Sequence, residues 1–371
     1  MDTGLEQTFE LIMNAVSAEE VFGIVDVVLP PDEMLAHLKR KYEQLHNITS
    51  PENWQSIEDR EAAGDADLRL KEFYQEAQGR IKAGLYGLGG STRKRPTGAG
   101  TFTTGKREYW VGEVLADGDI STVYEGMCAL SDGAAGEVVI KVVNDVEDND
   151  LALNEIRILE KLHSQSAPQW KHLPLLLDSF MTDEGQQGIV LRKFRGFTLE
   201  QVRNHRNYRE GVDRKHMVWM LNRTLSAIGY AHALGIVHCN ITPDHIMVKP
   251  DDHNACILDW GYAASRPGET GDGFKVFTEG FSAPEVKEKK PPIPASDIYS
   301  IGKCMIYLLG GDVQTNEMPD SVELRVQSFL QWMAHESPLQ RPQDAWELHP
   351  QLIQMIEELW GKRRFLHLSM D

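Results

Sequence analysis

Cysteine is scarce in this chain of 371 residues: four occur, Cys128, Cys239, Cys256 and Cys304, widely spaced and with no C-x-x-C pair. That usage excludes a disulfide framework and a thiolate zinc site, and fits free thiols in a reducing compartment. Net positive charge is missing too, since 38 Lys and Arg stand against 56 Asp and Glu, a formal charge of −18. General nucleic-acid binding needs a cationic surface that displaces counterions, so no nucleic-acid partner is expected. No apolar run approaches the roughly 20 residues that cross a bilayer. The opening Met1-Asp2-Thr3-Gly4 has neither the basic start nor the apolar core of a signal peptide. What remains, 41% hydrophobic and 25% charged residues, suits a soluble globular protein rather than a disordered one. A cytoplasmic location, no membrane contact and an unidentified protein partner are the expectations.

The length allows two domains, and composition divides the chain into three zones without any internal repeat. Residues 1–90 carry 8 Lys and Arg against 17 Asp and Glu and contain long helical patterns. Residues 91–107 carry five basic residues, no acidic ones, and much Gly, Ser, Thr and Pro. They read as a basic flexible linker. Arg93-Lys94-Arg95 within them could alternatively serve an anionic partner or a nuclear address. The third zone is assigned to residues 108–365.

In the first zone Pro31, Asp32 and Glu33 make a good helix start. Leu35, Leu38, Tyr42 and Leu45 then form one apolar face. After a break at Ser50-Pro51, Leu70, Phe73, Ala77 and Ile81 stripe a second helix, and a shorter segment, Ala18 to Val28, precedes both. Short helix, long helix, loop, long helix resembles a J-domain, the co-chaperone module that stimulates heat-shock ATPases. That family places His-Pro-Asp in the loop, where this chain has His46-Asn47-Ile48 and so lacks the Pro and the Asp. An unrelated small helical domain is the other reading.

The third zone carries more chemistry. Val111-Gly112-Glu113-Val114-Leu115 and Ser121-Thr122-Val123-Tyr124-Glu125-Gly126 read as strands around a tight turn. Val138-Val139-Ile140-Lys141 is a buried strand ending in lysine. Asn154 to Leu162 is a helix with Ile156, Leu159 and Leu162 on its apolar face. Then come His238-Cys239-Asn240-Ile241-Thr242-Pro243-Asp244-His245, Asp259-Trp260-Gly261, Ala283-Pro284-Glu285, Asp297 and Gln340-Arg341-Pro342, in that order. About 250 residues in this sequence of motifs resemble the protein kinase superfamily. The resemblance implies an α+β, bilobal kinase-like fold, here preceded by a small all-helical module: a five-stranded antiparallel sheet with one regulatory helix, on a larger helical lobe.

Residue by residue, the resemblance implies a nucleotide site at Gly118, Val123, Lys141 and Glu155. Lys141 would clamp phosphates and pair with Glu155, and Asp259 would hold magnesium. Either Leu191 or Arg192 would guard the back of the base pocket. The departures are equally plain. Of the glycine-rich loop pattern only Gly118 survives, and Asp117 and Asp119 would repel a triphosphate. Asn240 replaces the aspartate that accepts the substrate proton, and an amide takes no proton near neutral pH. Thr242 replaces the lysine that neutralises the moving phosphoryl group. His245 replaces the asparagine of the second metal position, and imidazole suits a hard cation poorly. Asp244 would point to the wrong face of an extended strand, and Cys239 removes the arginine that meets an activation-loop phosphate. The combined expectation is a pseudokinase with a binding, scaffolding or regulatory role. ATP and magnesium would be held weakly, and no zinc or other metal site is expected. The alternatives are an atypical Ser/Thr kinase or nucleotidyltransferase, and a chaperone adaptor acting through the N-terminal module.

Overall fold

Helical spacing in the first zone produces four α-helices among the described residues: α1 (Thr3–Asn14), α2 (Ala18–Phe22), α3 (Pro31–Thr49) and α4 (Ile57–Lys82). The computed structural model describes residues 3–15, 18–23, 31–82, 84, 86–87, 100–105, 107–129, 135–164, 167–250, 253–361 and 366–371. Asp32 and Glu33 occupy the first turn of α3, where carboxylates meet the positive end of the helix dipole. Leu38 and Leu45 pack with Leu70, Phe73, Ala77 and Ile81 of α4 in one buried cluster, with Leu35 and Tyr42 at its edge. A buried Arg80–Glu19 pair at 2.8 Å ties α4 to α2. The early segment differs from its expected span. It is helical only from Ala18 to Phe22, residues 24–30 fall outside the described residues, and α1 precedes it with Leu5 and Ile12 buried. His46 differs as well: it lies in the last turn of α3 rather than in a loop, with its Nδ1 bonded to Asp67 of α4.

The sheet follows as β1 (Gly100–Thr103), β2 (Glu108–Asp117), β3 (Ser121–Ala129), β4 (Ala135–Val143), α5 (Asn149–Leu162), β5 (Leu176–Met181) and β6 (Gln187–Arg192). Its six strands are ordered β1-β2-β3-β4-β6-β5, and every pairing is antiparallel. The expected number was five. The sixth is β1, which lies in the stretch read as linker, whose residues 91–99 and 106 (the basic triplet among them) are outside the described residues. Its cause is local. Thr101, Phe102 and Thr103 favour strand, and the Phe102 ring stacks on Phe180 at 4.1 Å and Tyr109 at 5.1 Å. Asp178 accepts hydrogen bonds from Thr104 Oγ1 at 2.6 Å and the Tyr109 hydroxyl at 3.0 Å.

The larger lobe contains β7 (Phe197–Thr198), α6 (Leu199–Asn204), α7 (Arg214–Ala233), β8 (Ile236–Val237), β9 (Ile246–Val248), β10 (Ala255–Ile257), β11 (Ala264–Ser265), α8 (Pro267–Thr270), α9 (Pro284–Lys287), α10 (Pro294–Leu308), α11 (Leu324–Met333) and α12 (Ala345–Trp360). Most of α7 and α10 is buried, so these two helices form the centre around which the others pack. Start signals are built in. Thr198 and Gln201 form a reciprocal capping box, and Asp213 and Asp344 accept backbone N–H bonds at the heads of α7 and α12, satisfying donors that the first turn leaves open. Sheet lobe plus helical lobe is the α+β bilobal arrangement that the resemblance implied. No helix among the described residues is long and apolar enough to cross a membrane.

Candidate functional site

Lys141 ends the apolar run of β4, and strand register decides what shares its face. It pairs with Val123 of β3 and Ile189 of β6, while Val139 pairs with Leu191. Paired residues project to the same side of a sheet and alternate residues to the same face, so Val123, Val139, Ile189 and Leu191 all line the Lys141 side. Arg192 pairs with Val138, which belongs to the opposite core with Ile140 and Val190. Register therefore places Leu191, not Arg192, at the back of the cleft.

The Lys141 ammonium donates to Glu155 Oε2 at 2.8 Å and to Asp259 Oδ1. Burial alone would lower its pKa, but Glu155 and Asp259 hold it above the ordinary lysine value, so it stays charged. Burial would likewise push the Asp259 carboxyl up, and Lys141 overrides this and keeps it well below the usual range. α5 presents Glu155 because Ala152, Ile158, Leu159 and Leu162 bury its inner face. Ile158 takes the central place that the sequence pattern gave to Ile156. One residue earlier, Asn154 donates to the carbonyls of Gly261 at 2.8 Å and Ala263 at 2.9 Å. The approach there is close: a Cβ on Gly261 would sit 3.3 Å from the Leu151 carbonyl oxygen. Asn154 was missed by sequence reasoning. Its one signal was an asparagine inside a helix, where that residue is intrinsically unfavourable.

The turn between β2 and β3 is knitted by its own polar groups. Gly118 N–H donates to Ser121 O at 3.1 Å, Asn144 Nδ2 to Gly118 O at 2.7 Å, and Thr122 Oγ1 to Asp117 Oδ1 at 2.8 Å. Asp117 and Asp119 are both exposed.

The loop after β8 carries the departures from the kinase pattern. Asp297 of α10 accepts from the backbone N–H of His238 at 2.8 Å and of Cys239 at 3.0 Å, and His232 Nε2 lies 2.9 Å from the same carboxylate. Burial pulls the His238 pKa below the ordinary histidine value, and its Nε2 lies 2.8 Å from Leu258 O. Trp260 is fully buried against it, edge to face at 4.5 Å, with its indole N–H on Ile257 O at 2.8 Å. Asn240 is buried and its Nδ2 lies 3.3 Å from Asp259 Oδ2. Thr242 is buried as well, without the reach of a lysine. His245 Nδ1 lies 2.7 Å from Asn240 O and its Nε2 3.5 Å from Asp259 Oδ2. Pro243–His245 is a 3₁₀ turn rather than the extended strand expected. Asp244 still stays out of the site, because it turns to Glu200; desolvation, then that neighbouring carboxylate, pushes it up to about 7. Below the loop, Glu285 and Arg341 form a buried fork at 2.6 and 2.9 Å, and Ser296 Oγ adds a bond of 2.7 Å.

This donor set fits a nucleotide and does not fit a pair of magnesium ions. Val123, Val139 and Leu191 offer an apolar slot next to a charged lysine. Among the described residues Asp259 is the one carboxylate at the metal position, with Oδ1 taken by Lys141 and Oδ2 faced by two nitrogen atoms, where magnesium requires near-octahedral oxygen. Separately, a cavity of about 210 Å³ opens between α5 and β5, and none of the candidate residues lines it.

Comparison with known proteins agrees with this geometry. The protein kinase domain family matches residues 109–370. Similar proteins include serine/threonine-protein kinase STE20 of Eremothecium gossypii, 25% identical over 62% of this chain and 26% of its own length. Serine/threonine-protein kinase nekl-2 of Caenorhabditis elegans is 27% identical over 50% of this chain and 53% of its own. Serine/threonine-protein kinase F of Synechocystis is 30% identical over 44% and 35%. The chain thus spans between about a quarter and about a half of the length of these relatives.

Proposed function

This chain belongs to the protein kinase family, and from that premise we propose that it is a pseudokinase, a kinase fold that binds and scaffolds a protein partner and holds ATP weakly. The observation that carries the proposal is Asn240. Its buried amide donates toward Asp259 at the position where the family uses a carboxylate to take the substrate proton. General-base assistance contributes about 10²–10⁴-fold in rate. Phosphoryl transfer relies on charge placement, and here the phosphate-neutralising lysine is a buried threonine and the second metal position an imidazole. The Lys141–Glu155–Asp259 cluster supports a retained nucleotide pocket.

The test has two arms. Thermal unfolding with ATP is expected to reveal weak binding, micromolar to millimolar, that Lys141→Met abolishes; a ligand of the native state raises stability by mass action. Labelled-ATP incorporation into protein hydroxyls is expected to be absent, or at least about 10²-fold below that of an ordinary kinase. Robust transfer that vanishes in a Lys141→Met, Asp259→Asn protein would overturn the proposal. It would favour the second reading, an atypical Ser/Thr kinase, for which the intact ion pairs and the kinase names of the similar proteins speak. Label arriving as an adenylyl group would favour a nucleotidyltransferase.

A further inference from the structure

Residues 366–371 form no helix or strand, yet they are firmly seated on the larger lobe. Leu368 is fully buried in the main apolar cluster, and Met370 packs against that cluster. Leu366 is half-buried, while His367 and Asp371 are exposed. Apolar side chains at every second position thus turn inward, the pattern of an extended chain with one face covered. The segment runs between the 3₁₀ turn Arg206–Tyr208, which follows α6, and Pro250, which follows β9. Leu368 N–H donates to Pro250 O at 3.3 Å, Asn207 Nδ2 to Ser369 O at 3.3 Å and Arg206 Nη2 to Asp371 O at 2.7 Å. The Ser369 backbone also bonds the Tyr208 hydroxyl. All four of these bonds address backbone atoms of the segment. The exposed His367 adds a long side-chain contact, its Nδ1 3.4 Å from Pro250 O.

A groove that fixes backbone atoms with polar groups and takes alternate side chains into apolar space is a general means of holding an extended peptide. Backbone contacts of this kind do not distinguish the chain's own segment from another of the same pattern. We propose that this groove is a docking site for an extended segment of a partner protein, with apolar residues at three alternate positions. Residues 366–371 occupy it in cis as a competitor. The proposal names the kind of partner segment that a scaffolding role requires, and it rests on that role for its use. Arg206, Asn207, Tyr208 and Pro250 all lie outside the candidate nucleotide site, so docking needs no ATP. A tethered segment competes at an effective concentration of about millimolar. A free peptide therefore binds the parent chain weakly, and gains affinity when the chain's own segment no longer seats.

Fluorescence anisotropy of a labelled peptide, Leu-His-Leu-Ser-Met-Asp, titrated with the full chain and without nucleotide tests this. Affinity is expected to be at least about tenfold higher for a Leu368→Asp, Met370→Asp chain than for the parent. Adding Asn207→Asp, which sets a carboxylate against the peptide carbonyl, should reverse most of that gain. A peptide with Asp in place of its second Leu and its Met should bind neither chain. Met370→Ala leaves Leu368 in place and guards against a folding defect; its gain should be smaller but measurable. Excess unlabelled peptide should also raise the unfolding temperature of both variants, since it refills the groove by mass action. Equal affinity in the parent and both variants overturns the proposal and makes the segment a fixed part of the fold. A gain that Asn207→Asp leaves intact overturns it too, because the peptide then seats elsewhere. A dimer of the parent chain that excess peptide dissolves would make a second copy the occupant, against the proposal. These outcomes are independent of ATP binding and of label transfer, so the groove and the pseudokinase reading fail separately.

Discussion

Several buried charges among the described residues are paired, and Glu285 with Arg341 is the clearest case. Burial pushes the Glu285 carboxyl up, but the hydrogen bonds from Arg341 and Ser296 outweigh it and hold the pKa below the ordinary glutamate value. A carboxylate depressed in the folded state contributes stability that is complete above its unfolded pKa and is lost as pH falls through the folded one. Arg341→Met leaves Glu285 buried without its partner and should cost about 3–5 kcal/mol. Chemical denaturation at neutral pH measures that loss. The loss should shrink on acidification, since a protonated Glu285 no longer needs the guanidinium, and a pH-independent loss would contradict the account. The kinase resemblance named Lys141 with Glu155 as a pair, and it placed Glu285 and Arg341 in its motifs. It did not name Asn154 or the sharing of Asp297 by His232, which arise where helices distant in sequence meet.

The elements most faithful to the sequence are those with strong apolar periodicity. α3, α4, α5 and β4 stand where their spacing puts them, since a continuous apolar face needs only a partner surface to bury it. β1 was hidden because its flanks are rich in Gly, Thr and basic residues, and the contact that orders it, Phe102 on Phe180, spans 78 residues of sequence. Phe102 is half-buried, so Phe102→Ala should lower stability by about 1–3 kcal/mol, less than the 3–5 of a fully buried phenylalanine. Equilibrium unfolding would register this. An unchanged midpoint would mean that β1 adds nothing to the sheet.

At the scale of the whole chain, an N-terminal helical module precedes a kinase domain, and a chaperone-adaptor role would run through that module. His46 is the one remnant of the J-domain motif, and its ring is engaged. Asp67 binds its Nδ1, also accepts from Thr49 and pairs with Lys71 at 2.8 Å, while Tyr42 stacks on the imidazole at 5.4 Å. A histidine clamped between helices is poorly placed to act on a second protein. The full chain should therefore leave the steady-state ATP turnover of a heat-shock ATPase unchanged. Clear stimulation would show that the clasp opens and would raise the adaptor reading.

By itself the sequence determined the family, the bilobal class and the residue types at the candidate site, because these depend on local periodicity and on motifs that keep their order. It could identify Asn240, Thr242 and His245 as departures without any coordinates. Only the tertiary structure decided that Leu191 rather than Arg192 faces the cleft, since register flips every side chain of a strand with a one-residue slip. Tertiary structure also placed His245 Nε2 opposite Asp259 Oδ2. That distance is set by the packing of β9, β10 and the 3₁₀ turn of Pro243–His245, and no spacing along the chain encodes it.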